Sequence, residues 1–165
     1  SEKYNSIHLT KIRIMQFRIL DSQFKIDDGI SYIKNYIAAN PNLIVSIGCD
    51  SQNFRKYCAY VTAIALRTPK AGAHVIYQSQ FVPKIKDKYS RLWRETEESV
   101  SLAKILIDHG INIDLIELDF NKSKTAGSNM MIAPSVGYVV GLGFTPLTKP
   151  DELIAVRAAD CILKR

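Results

Sequence analysis

The stretch LIVSIGCDSQ, residues 43–52, decides how the chain reads. Leu43 to Cys49 form an apolar, β-branched run of strand length, as expected for a strand covered on both faces. The polar segment DSQNFRK at 50–56 reads as the break that ends it, which puts Asp50 at the strand's carboxyl end. A carboxylate at such a point loses hydration and is costly unless something compensates it. Asp50 therefore has two readings. It starts a turn, as Asp commonly does, or it lines a crevice where ligands meet the carboxyl ends of strands.

Outward from this stretch, YCAYVTAIALR (57–67) and HVIYQSQFVP (74–83) read as two further strands. The Pro- and Gly-bearing turn TPKAGA joins them as a hairpin. From Ser90 to His109 a helix is expected, with Trp93, Val100, Ala103 and Ile107 along one stripe and Gly110 as stop signal. INIDLIELDF (111–120) is a strand, and SNMMIAPSVGYVVGLG (128–143) a helix entered near Pro134 and ended by Gly141 or Gly143. FTPLT is short and extended. DELIAVRAADCILK (151–164) closes the chain as a helix with acids in its first turn and basic residues in its last.

Upstream, Asp27 and Asp28 offer N-cap chemistry to a helix carrying Ile30, Ile33, Tyr36 and Ile37, which Asn40-Pro41 ends. The first 26 residues read either as a strand or as a basic amphipathic segment. The whole is one domain, 1–165, with 1–42 an N-terminal extension and helix and 43–165 the core. From residue 43 the order is β-β-β-α-β-α-β-α. Three strands on short connections make an antiparallel meander, and the later alternation implies parallel crossovers. The expected fold is α/β: a mixed five-stranded sheet flanked by helices, the element order of the ribonuclease H-like fold.

Composition narrows the function classes. Of 165 residues, 47% are hydrophobic and 23% charged, so a buried core is expected rather than global disorder. No apolar run approaches the roughly 20 residues of a membrane span, and no secretory leader is visible. Three scattered cysteines, without a CxxC pair, argue against a disulfide framework or a zinc site and for a reducing, cytoplasmic setting. Lys and Arg (22) exceed Asp and Glu (16), which favours an anionic partner such as nucleic acid.

Against that positive background, a few carboxylates stand at telling positions. Asp119 falls at the carboxyl end of its strand, as Asp50 does. Asp114 comes early in the same strand and reads as solvent-facing or cap-related, and Glu117 as a solvated charge on the sheet face. Asp160 borders the buried stripe of Ala155, Val156, Ala159, Ile162 and Leu163 on a helix of small residues. Glu95, Glu97 and Glu98 crowd one turn. Glu95 aligns with Ser99, Ala103 and Leu106 and can look inward, while Glu98 is the second choice. If Asp50, Glu95, Asp119 and Asp160 converge, oxygen-only ligands suit hard Mg²⁺ or Mn²⁺. Two such ions roughly 4 Å apart can orient an attacking water and stabilise the leaving oxygen of a phosphodiester.

From Leu43 to Arg165 the chain resembles the ribonuclease H-like family of the YkuK type, predicted bacterial nucleases. The resemblance rests on IGCDSQ (47–52), the stretch from Glu95 to Ala103, ELDFN (117–121) with Ser128 downstream, and GLGF followed by Lys149-Pro150 and AADC. It implies a metal-dependent acidic site carried by Asp50, Glu95, Asp119 and Asp160, and a nuclease acting on RNA, DNA or hybrid. Cys161 after Asp160 departs from the basic residue the pattern expects. A non-catalytic nucleic-acid-binding module of the same fold is the alternative. Lys122, Lys124, Ser128 and Lys149 are candidate substrate contacts, each equally readable as loop or helix-entry residues. Tyr89, Arg91, Trp93 and Arg94 mix aromatic and basic groups in the manner of a nucleic-acid surface. Membrane partners are not expected.

Overall fold

A computed structural model describes residues 16–120 and 128–165. In chain order it contains β1 (Phe17–Ile19), β2 (Lys25–Ile26), α1 (Gly29–Ala39), β3 (Ile44–Asn53), β4 (Tyr57–Thr68), β5 (Gly72–Pro83) and α2 (Lys88–Asp108). There follow β6 (Leu115–Leu118), a 3-10 turn (Ser128–Met131), α3 (Ile132–Gly141), β7 (Pro146–Thr148) and α4 (Ile154–Leu163). The expected β-β-β-α-β-α-β-α order from residue 43 is present. Among the described residues the sheet has seven strands rather than five, in the order β2-β1-β5-β4-β3-β6-β7. The two extra strands come from the N-terminal extension: β1 and β2 pair with each other, and β1 runs antiparallel along β5. β3, β4 and β5 form the antiparallel meander, while β6 and β7 add in parallel on the other side of β3.

Local chemistry explains most boundaries. Asp28 caps α1 by accepting the Ser31 N–H at 3.0 Å, and Asp87 caps α2 by accepting that of Ser90 at 2.7 Å. Gly110, at a φ of +82°, provides the left-handed residue that ends α2.

Two apolar layers sandwich the sheet. One face packs Val45, Ile47, Ile64, Leu66 and Ile76 against α1, α2 and α3. The other sets Ala59, Val61, Ala63 and Ala65 of β4 against Ala155, Ala158 and Ala159 of α4. Alanine on both sides lets the α4 backbone lie close to the sheet. Cys49 is a buried core residue, as its apolar surroundings suggested. No described helix is long and apolar enough to cross a membrane.

Several expectations need correction. Residues 50–53 stay in β3 instead of breaking it: Asp50 is paired with Val61 and Gln52 with Ala59. Polar side chains are tolerated there because β4 satisfies the backbone along that whole length. Ile107 is 44% exposed and leaves the α2 stripe, which Leu92, Leu102 and Leu106 complete instead. α4 begins at Ile154, so Asp151 and Glu152 precede it and its first turn holds no acid. Lys164 is its C-cap, and its last turn holds no basic residue. Glu117 is not solvated at all: it is 2% exposed.

Candidate active site

Alternation along β3 divides its side chains between the two layers. Ser51 faces α2, where its hydroxyl donates to Glu95 Oε1 at 2.5 Å. Ser46, Gly48 and Asp50 face α4. The Ser46 hydroxyl donates to Glu117 Oε1 at 3.0 Å, and a Cβ added to Gly48 would meet Val156 of α4. This alternation brings Asp50 beneath Asp160.

The Asp50 carboxyl accepts its neighbour's backbone N–H, that of Ser51, at 2.9 Å. Burial raises it to about 6; the adjacent charges of Asp160 and Asp119 and a carboxyl–carboxyl hydrogen bond with Asp160 add to the rise, opposed by the Ser51 N–H. Glu95 is buried and raised further, to about 8. Burial is the main cause, with Asp50 and Asp119 contributing, while the Ser51 hydroxyl and Arg91 pull the other way. Arg91 Nη1 lies 3.9 Å from Glu95 Oε1 and donates to Ser51 O at 3.0 Å and Ser51 Oγ at 2.9 Å. Ser51 thus holds Glu95 on one side and Arg91 on the other.

Asp119, one residue past β6, pairs with Lys149 Nζ at 2.6 Å, and Asp160 with Lys164 Nζ at 2.7 Å. Among the three crowded glutamates, Glu95 alone is buried; Glu97 is exposed, and Glu98 pairs with Arg94 at 3.1 Å. Among the described residues, no three His, Cys, Asp or Glu side chains form a group able to hold one ion. Asp50 and Asp160 are brought close enough to interact; Asp119 acts on Asp50 through charge, and Asp50 and Asp119 act on Glu95. As donor chemistry the set fits a hard divalent cation. It is made of oxygens alone, and two of its carboxyls are lifted above their ordinary range, chiefly by burial and further by the charges of their neighbours.

The remaining candidates fare unevenly. Lys149 is engaged with Asp119. Lys122 and Lys124 lie outside the described residues, as does the Ser128 side chain. The proposed aromatic-basic surface on α2 is largely turned to internal work. Arg91 serves Ser51 and Glu95, Arg94 lies 5.1 Å from the centre of the Tyr60 ring, and Trp93 packs on Tyr138 at 5.1 Å.

Sequence reasoning missed the part played by Glu117. From β6 it accepts the α4 backbone N–H groups of Ile154 at 3.0 Å and Val156 at 2.8 Å, along with the Ser46 hydroxyl. It supplies the carboxyl oxygens that the first turn of α4 lacks among its own side chains. Burial pushes its carboxyl up, and these three donors together with the Ala155 N–H oppose the shift. Asp114, just before the same strand, is half-buried and accepts the Val45 N–H at 2.8 Å, tying the chain there to β3.

A meander of three strands, parallel strands β6 and β7, and carboxylates drawn from β3, α2, the end of β6 and α4 together define an architecture. The family model described as Ribonuclease H-like matches residues 28–164, and the chain belongs to that family. Among curated proteins it is similar to the uncharacterized protein YkuK of Bacillus subtilis (strain 168), with 24% identity over 165 residues, covering 90% of this chain and 96% of the relative.

Proposed function

We propose that the chain is a metal-dependent nuclease that hydrolyses phosphodiester bonds in RNA, DNA or a hybrid. The observation that supports it best is Asp50, raised to about 6 beside Asp160 and Asp119 within a protein of net charge +6. Carboxylates so placed would repel a phosphate on their own. With them set aside, 22 basic residues stand against 12 acidic ones, so an acidic centre lies in a basic surround.

Asp50, Asp119, Asp160 and Glu95 would hold Mg²⁺ or Mn²⁺, which would supply Lewis-acid activation of water and charge neutralisation at the phosphate. The chain's own residues prepare the place. Ser51 and Arg91 fix the Glu95 carboxyl, which burial raises to about 8. Lys149 neutralises Asp119 and would be the cation nearest that carboxylate for a phosphate to meet. Glu117 and Gly48 hold α4, and so Asp160, close to β3.

The test is cleavage of labelled RNA, DNA and hybrid oligonucleotides with Mg²⁺ or Mn²⁺, comparing the wild type with Asp50→Asn. Cleavage that is lost with EDTA and in the variant is expected. Equal cleavage by both proteins removes the assignment. The 2.6 Å pair between Lys149 and Asp119 favours one other reading, a binding module that uses the lysine in place of a metal. That reading requires salt-sensitive binding without turnover in either protein.

A further inference from the structure

Asp50, Gln52 and Phe54 lie at alternate positions along β3 and just beyond it, on the face that α4 covers only in part. In the register of the sheet, Gln52 stands beside Ala59 and Ala59 beside Phe81, a row directly next to the one holding Asp50 and Val61. Helix α4 reaches the Asp50 row through Asp160. Beyond it the sheet carries aromatic rings. Phe54 stacks on Tyr57 with ring centres 4.9 Å apart, and Tyr57 meets the edge of Phe81 at 5.6 Å. Phe81 is 67% exposed and Tyr57 40%, so these two rings form a surface, with Phe54 half-buried behind them against the alanine layer under α4.

Positive charge frames these rings. The Phe54 N–H donates to Tyr57 O at 2.8 Å, closing a tight turn that presents Arg55 and Lys56 to solvent. The Lys84 N–H donates to Lys56 O at 3.3 Å, which brings the two lysine backbones side by side. Arg55, Lys56 and Lys84 enter no ion pair with another described residue. Exposed rings attract bases, and cations without partners attract phosphates.

We infer that the Phe54–Tyr57–Phe81 surface is a stacking platform for an unpaired nucleic-acid strand leading to Asp50. The inference rests on the nuclease reading above and names its substrate class. Only unpaired bases can present their faces to a ring; in a duplex those faces are occupied by neighbouring bases. From Asp50 to Phe54 is four residues, about 13 Å along the strand. That is on the order of four nucleotides at stacked spacing. A strand lying on the rings would therefore have its phosphodiester a few nucleotides away over the carboxylates.

The test is fluorescence anisotropy of labelled dodecathymidylate, alone and annealed to its complement, with the full chain in EDTA so that no cleavage intervenes. The wild type is expected to prefer the single strand. Phe81→Ala should weaken that binding about tenfold, and Phe81→Tyr should preserve it. Lys56→Gln with Lys84→Gln should flatten the dependence of log K on log salt by about 1.4. Because Phe81 is exposed, an unchanged melting curve for Phe81→Ala separates lost stacking from lost folding. Wild-type affinity in Phe81→Ala overturns the platform, as does preference for the duplex. A ring surface serving self-association instead would show as a dimer that Phe81→Ala dissociates, and this also overturns it. Metal-dependent cleavage that persists while Phe81→Ala binds normally sinks the platform and leaves the nuclease standing. Ring-dependent binding without any cleavage does the reverse.

Discussion

Glu117 Oε2 accepts the Val156 N–H at 2.8 Å, directly against Gly48, and this contact sets the distance between the sheet and α4. A buried carboxylate here stands in for the acidic first turn that α4 does not have. Glu117→Ala would leave the N–H groups of Ile154 and Val156 and the Ser46 hydroxyl without their acceptor. At about 1–3 kcal/mol for each buried unsatisfied group, a loss of about 3 kcal/mol or more is expected in urea unfolding. Glu117→Gln should lose less, because its amide oxygen still accepts. A loss under about 1 kcal/mol for the alanine variant would mean that the carboxylate does not anchor the helix.

Gly48 is required for space rather than backbone freedom. A Cβ there would lie 2.6 Å from Val156 Cγ2 and 2.9 Å from the Val156 backbone nitrogen. Gly48→Ala must push α4 outward, at a cost of about 1–3 kcal/mol for overpacking. Asp160 moves with the helix, so cleavage should fall more than stability does. Val156→Ala in the same chain removes the side-chain clash but not the backbone one. Full recovery of both stability and cleavage by that double variant would refute this account.

The pair between Lys149 and Asp119 is half exposed and contributes at most about 1 kcal/mol to stability. Lys149→Ala should therefore change the melting temperature of the metal-free protein little. It removes the cation that competes for Asp119, so the rise in melting temperature on adding Mn²⁺ should be larger than in the wild type. An unchanged or smaller rise would show that Lys149 does not compete with metal.

Glu95 makes stability depend on pH. Its carboxyl is raised from 4.5 to about 8, so between those values the folded protein holds a proton that the unfolded chain has released. Stability from this group is complete below about 4.5 and is lost as pH rises through about 8. In EDTA, chemical denaturation should show the wild type weakening from pH 5 to pH 8, and Glu95→Gln should flatten that trend. A wild type that strengthens over the same interval would contradict the burial of this carboxyl as the dominant effect.

Strand and helix order could be read from residue 43 onward because hydrophobic pattern and turn chemistry agree there. The β4–β5 hairpin, Asp28 as a cap and Gly110 as a stop follow from local physics alone. Asp50 was singled out by its polarity after an apolar run but placed in the wrong setting, since polarity at 50–53 looks like a break until β4 is known to pair with it. Glu117 could not be read, because its partners on α4 lie 37 and 39 residues away. A lone Glu in a strand gives no sign that it faces helix N–H groups rather than water. Arg91 was misread for the same reason: its partner Ser51 lies 40 residues upstream. The choice of Glu95 over Glu97 and Glu98 was legible, since small residues mark the face of α2 that turns inward.

The seven-stranded sheet ends in β2, two residues long, on one side and β7, three residues long, on the other. Its twelve-residue strands, β4 and β5, lie inside. Long, regular strands at a margin invite foreign strands to continue the ladder, and short ones offer little template. β1 nevertheless meets β5 only at Tyr77 and Ile76, through Arg18 and Ile19, so among the described residues β5 keeps an outer edge from Gln78 to Pro83. A foreign strand would find its template along that stretch of β5 and not at β2 or β7, so association of concentrated protein through strands should begin there.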